Sequence, residues 1–97
     1  MKLLTKEIEK KLPKLGSTSW EDDADIDPKI IVKFFHPRSS WTWYVIEGEK
    51  QGNDWLFFGF VNGLEGELGY FSLSQLESIG MIERDRYFEG SLKELGE

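Results

Sequence analysis

The sequence contains no cysteine. A disulfide framework, a thiolate nucleophile and a cysteine-ligated metal are therefore excluded, and the chain suits a reducing compartment. It has a single histidine, His36, whereas imidazole metal sites ordinarily use two or three. Long apolar runs are missing too. The longest is broken at Gly59 and falls far short of the about 20 residues a membrane helix needs. Met1 to Glu7 lack the apolar stretch of a secretory signal, so a cytoplasmic location is expected and no membrane contact. Room is also scarce. A single domain, residues 1–97, is expected. A domain of this size hides roughly two-thirds of the surface its unfolded chain exposes. One core fits; a deep enclosed active site does not.

What is present is aromatic and acidic. Seven Phe, three Tyr and four Trp make up 14% of the chain, and large rings bury much apolar area each, so the core is built from them. The net charge is −6. Residues 1–19 are basic, with Lys2, Lys6, Lys10, Lys11 and Lys14 against Glu7 and Glu9. Residues 20–28 hold Glu21, Asp22, Asp23, Asp25 and Asp27 and no base. Residues 47–97 carry eleven acids against four bases. Such a surface repels nucleic acid over most of its area and suits a basic protein partner. The plainer reading is that acidity serves solubility.

Leu4, Ile8, Leu12 and Leu15 recur at helical spacing, predicting an amphipathic helix from Thr5 to Leu12, capped by Thr5 and stopped by Pro13 and Gly16. Gly16 to Pro28 reads as a polar loop with Trp20 as its one large apolar anchor, and residues 17–27 are expected to be the least ordered internal segment. Strands are expected over Lys29–Phe35, Trp41–Glu47, Trp55–Val61 and Glu67–Phe71, with a fifth at Met81–Phe88. Gly48 to Asp54 reads as a hairpin loop. Gly59 inside the third strand signals a bulge or a close approach. Ser72 with Gln75, and Ser74 with Glu77, form candidate capping boxes for a short helix ended by Gly80. Ser91 and Glu94 open a last one-turn helix over Leu92–Leu95. This order predicts an α+β fold: a single antiparallel sheet of four or five strands, an N-terminal helix and short C-terminal helices on one face.

Catalytic chemistry finds little footing. Ser39 and Ser40 lie near His36, but no Gly-flanked nucleophile turn is present. Asp22, Asp23, Asp25 and Asp27 lack the glycine and closing glutamate of a calcium loop. The segment Gly63 to Gly69 has no lysine, and its acids would repel phosphate. No enzyme activity, cofactor or metal is expected. The aromatic cluster is the stronger signal. Trp41, Trp43, Tyr44 and Trp55 must in part form the core, yet strand alternation cannot bury them all. Exposed Trp and Tyr beside Arg38 are ordinary anchors of a protein interface. Glu65 and Glu67 add carboxylates along a strand. The candidate partner-binding residues are thus Trp41, Trp43, Tyr44, Arg38, Glu65 and Glu67. The same rings could stack single-stranded bases, although no basic groove accompanies them.

Six segments carry a resemblance: Leu3–Ile8; Val32–Phe35 with Pro37; Ser40–Tyr44; Leu56–Gly59; Glu67–Leu73; and Ile82–Asp85. Together they make most of the chain resemble a family of small bacterial and phage proteins of unknown function, commonly encoded on plasmids, conjugative elements and prophages. The resemblance implies a genomic setting and no activity. Members often carry an acid where His36 stands, so no role passes to that position. By analogy of context and charge, small acidic proteins of mobile elements include anti-restriction and anti-CRISPR inhibitors that mimic DNA.

The expected function is that of a non-enzymatic binding protein of a mobile genetic element, in its sharper form an acidic inhibitor of a host nucleic-acid-binding defence protein. The alternative is a single-stranded nucleic-acid binder or small enzyme using the aromatic cluster and His36. Nothing in the sequence favours a toxin–antitoxin component. A salt-sensitive interaction with a protein, and no direct binding of nucleic acid, separates the first reading from the second.

Overall fold

The computed structural model describes residues 3–18 and 26–95. The expected helix forms as α1 (Lys6–Lys11). Thr5 caps it, its Oγ1 accepting from the Ile8 amide at 3.2 Å, which satisfies one of the donors a helix start leaves open. Five antiparallel strands follow: β1 (Val32–Phe35), β2 (Thr42–Gln51), β3 (Asp54–Asn62), β4 (Gly66–Ser72) and β5 (Glu83–Asp85). The helix α2 (Leu73–Ile79) sits between β4 and β5, and α3 (Leu92–Leu95) closes the described chain. The sheet order is β4-β3-β2-β1-β5. The first four strands form a meander, and the α2 connection returns the chain to the far side of β1. The α+β prediction with a five-stranded antiparallel sheet is what the structure shows.

Alternation divides the sheet into two faces. Val32, Phe34, Trp43, Val45, Phe57 and Phe71 form the core together with Leu3 and Leu4 ahead of α1, Leu76 of α2, and Ile82. Ile8 and Leu12 pack against this core half-buried, so the helical stripe predicted from Leu4, Ile8 and Leu12 is the docking stripe. The capping box of α2 is complete at Ser72 and Gln75. Asp54 reinforces it from β3: its Oδ1 accepts from the Ser74 amide at 3.0 Å and its Oδ2 from the Ser74 hydroxyl at 2.6 Å. The Ser74 hydrogen bond, then that of the Trp55 amide, holds the Asp54 carboxyl below its ordinary value against the pull of desolvation. Asp27 does the same for α3, accepting from the Ser91 hydroxyl and from the Lys93 amide at 2.8 Å, and its carboxyl is lowered by those bonds in that order.

Three boundaries differ from expectation. β2 does not stop at Glu47 but runs to Gln51, because Gly48 lets the strand pass under Phe57, where any Cβ would meet the ring at 2.8 Å. The turn is instead made at Gly52, whose φ is +63°. β1 begins at Val32, leaving Lys29 in an isolated bridge to Ser91. The fifth strand shrinks to Glu83–Asp85, since Gly80 and Met81 both take positive φ (76° and 63°) before it can start.

Gly59 marks a close approach, and the bulge lies on its partner strand. Register shifts between Val45 and Glu47, making Ile46 the extra residue, and Gly59 pairs with Val45. A Cβ on Gly59 would lie 1.8 Å from the Tyr44 carbonyl oxygen. After the bulge Glu47 is buried, and its carboxylate is filled by donors from the loop after α1: the Gly16 amide at 2.7 Å, the Thr18 amide at 3.1 Å and the Thr18 hydroxyl. The stretch expected to be least ordered is therefore tied at both ends, through Thr18 and Asp27; residues 19–25, with Trp20, lie outside the described residues.

Candidate functional site

The β1–β2 and β3–β4 turns lie at the same end of the sheet, because the strands they join alternate in direction. The first turn, residues 36–41, is closed by its own hydrogen bonds. The His36 amide donates to the Trp41 carbonyl at 3.1 Å, and the Ser39 amide to the His36 carbonyl at 3.2 Å. The Arg38 amide donates to His36 Nδ1 at 3.1 Å, and the Trp41 amide to Ser39 Oγ at 3.2 Å. This pattern places the proton of a neutral imidazole on Nε2. His36 and Ser39 thus each accept a backbone amide within the turn that leads into Trp41.

Trp41 stacks on Trp43, ring centroids 5.9 Å apart and planes 28° from parallel. Trp43 is 6% exposed and belongs to the core; Trp41 is 40% exposed. The Trp41 ring also lies over Gly63 in the second turn, so closely that a Cβ there would meet it at 2.4 Å. Gly63 thus permits the two turns to be joined by one ring. Beside the pair, Trp41, Trp43, His36, Ser39 and Ile79 line an almost wholly apolar hollow of about 200 Å³. Ile79, at the end of α2, is 53% exposed. A wider cleft of about 560 Å³ is lined by Leu3, Pro37, Leu76, Gly80, Met81 and Ile82 with the carboxylates of Glu77 and Glu83. Met81 is 55% exposed, its positive φ holding it outside the core. Exposed large apolar residues gathered beside concave apolar surface mark interaction sites.

Acids fringe this surface. Trp43, Val61 and Glu67 are successive register partners across β2, β3 and β4, so Glu67 stands two strands, about 10 Å, from Trp43 on the same face. Glu65 is in the turn that Trp41 covers, its carbonyl accepting from the Gly63 amide at 3.3 Å. Arg38 is exposed in the other turn. Five of the six predicted residues are therefore gathered at one end of the sheet: Trp41, Trp43, Arg38, Glu65 and Glu67. Tyr44 is not. It points to the opposite face, half-buried between Phe60 and Phe88 at 6.2 and 5.4 Å, with Lys33 Nζ 5.7 Å from its ring centroid. Ile79, Met81, Glu77 and Glu83 were not foreseen, since only the docking of α2 and the turn after it bring them there.

Among the described residues no three of His, Cys, Asp and Glu come close enough to hold a metal ion. His36 offers Nδ1 to a backbone amide, and Ser39 Oγ accepts another. Among the described residues no helix is long and apolar enough to cross a membrane.

A family model described as "Protein of unknown function (DUF2958)" matches residues 3–95. No curated protein and no solved structure matches the chain.

Proposed function

The chain belongs to that family of proteins of unknown function, and we propose that it is a non-enzymatic binding module whose Trp41–Ile79 hollow takes an apolar side chain of a basic protein partner. The observation that carries this reading is the half-open Trp41, stacked on a buried Trp43 at the mouth of an apolar hollow. A ring held rigidly before binding loses little freedom on contact, which makes it an efficient anchor. Glu65 and Glu67 at this end of the sheet, with Glu77 and Glu83 lining the separate wider cleft, favour a partner whose anchor is flanked by Lys or Arg. The sharper form of the proposal is an inhibitor that covers the nucleic-acid surface of a host defence protein, in keeping with the mobile-element setting that the family resemblance implies. Such a surface is basic and would meet these carboxylates as it meets phosphates.

Stacking of single-stranded bases is the second reading. It draws on the same indole, but the acids near Trp41 oppose a phosphate backbone. Affinity capture from native host cells, with wild type beside Trp41→Ala and read by mass spectrometry, tests the proposal. A basic protein retained by wild type and lost with Trp41→Ala supports it. Retention that ignores the substitution contradicts it, and retained nucleic acid in place of protein favours the second reading.

A further inference from the structure

β4 is the outermost strand on its side of the sheet. Edge strands leave half their backbone groups without a ladder partner, and proteins usually blunt them with bulges, proline, lysine or brevity. β4 has no bulge, proline or lysine and is not short; its one charged residue is Glu67. It runs for seven residues, Gly66–Ser72, in unbroken register with β3. The opposite edge, β5, has only three residues. β4 also carries apolar side chains outward: Leu68 is 39% exposed and Tyr70 65%, on the face away from the core. The Tyr70 ring rests edge-on against Phe58, centroids 4.9 Å apart, which fixes its position.

We propose that a second copy of this chain pairs here, β4 against β4, antiparallel about a two-fold axis at Gly69. Gly69 is the middle residue of the strand, so this register pairs its whole length, Gly66 with Ser72 at each end. It sets each Leu68 opposite the other copy's Tyr70, joining the exposed apolar groups in two equivalent pairs. Each Glu67 falls opposite Phe71, and the two Glu67 residues lie about 14 Å apart, beyond the Debye length of about 8 Å at physiological ionic strength. An axis at Glu67 would instead oppose like charges. An axis at Leu68 or Tyr70 would leave an end of the strand unpaired and break the Leu–Tyr match. α2 folds back over β3 and β4, so the helix is not beyond the edge. The assembly is a continuous ten-stranded sheet, with the Trp41 hollow free on each copy.

The absence of native cysteine gives a direct test. Gly69 does not have a positive φ, and a Cβ there meets nothing within 4 Å, so Gly69→Cys folds. Residues facing each other across an antiparallel pair have Cα atoms about 4.5–5.5 Å apart, inside the range of about 4.4–6.8 Å that a disulfide spans. Mild oxidation of full-length Gly69→Cys should give a disulfide-linked dimer on a denaturing gel, while Glu67→Cys stays uncrosslinked on the same timescale. Light scattering of the wild type should show the mass of two chains, and Tyr70→Lys should shift it to one while the circular-dichroism spectrum of the fold is kept. A wild type that remains one chain at every concentration overturns the proposal. So does a dimer that survives Tyr70→Lys, or one in which the two cysteine variants crosslink alike.

Discussion

The Trp41 indole lies across Gly63 so closely that no side chain fits beneath it, and this contact welds the β1–β2 turn to the β3–β4 turn. One ring thereby fixes the anchor and its acidic fringe relative to each other. The proposed binding surface is a product of that contact as much as of the residues themselves.

Trp41 and Trp43 should separate binding from folding. Trp41→Ala is expected to weaken partner binding by about 2 kcal/mol or more, the loss typical of an interface anchor, and to cost less folding stability than Trp43→Ala because its ring is 40% exposed. Trp43→Ala is expected to cost about 3–5 kcal/mol of folding free energy, as emptying a core aromatic site does. Urea denaturation and calorimetric titration of the two variants measure both effects.

Charge reversal acts on a different step. Glu65→Lys with Glu67→Lys should slow association by about tenfold or more if the fringe steers a basic partner as proposed. Release should change less. Stopped-flow association at rising salt should show the wild-type rate falling toward that of the variant.

Much of this was legible in the sequence, for identifiable reasons. Leu4, Ile8 and Leu12 lie at helical spacing, Ser72 and Gln75 at capping-box spacing, and the aromatic strands are bounded by turn residues; each is a local signal. The length of β2 was not legible, because Gly48 and Gly52 look alike until Phe57 passes over the first. Nor was the bulge at Ile46, which lies opposite Gly59 and carries Glu47 to the Phe58 face of the sheet, away from the core, where it holds Gly16 and Thr18. Trp41 and Trp43 shared a face by simple alternation, and the same alternation sent Tyr44 to the other. Ile79 and Met81 joined the site only through the tertiary placement of α2.

Gly59 should be the least replaceable glycine of the sheet. Gly59→Ala places its Cβ against the Tyr44 carbonyl, a backbone atom that cannot swing away. Destabilisation of about 3 kcal/mol is expected, at the upper end of overpacking costs. Gly69→Ala, with open space around it, should change stability by less than about 0.5 kcal/mol. Paired urea melts distinguish them.

Acid should loosen the two aspartate clasps. The carboxyls of Asp27 and Asp54 sit below their ordinary value of 3.8 in the folded chain. The unfolded chain therefore takes up these protons more readily. Their contribution is full above that value and fades as pH falls through the lower folded values. Asp54→Asn should reduce stability at neutral pH and flatten the loss below pH 3.8, in urea melts taken across the acid range.

The central claim is that a basic protein partner seats on the Trp41 face of the sheet. Amide chemical-shift mapping of the labelled chain, titrated with the partner recovered from its native cells, tests this most directly. Perturbations are expected to concentrate in residues 36–43, 63–67 and 77–83 and to weaken as salt rises. Perturbations centred instead on Lys33, Tyr44, Phe60 and Phe88, with the Trp41 and Trp43 amides unmoved, would contradict it.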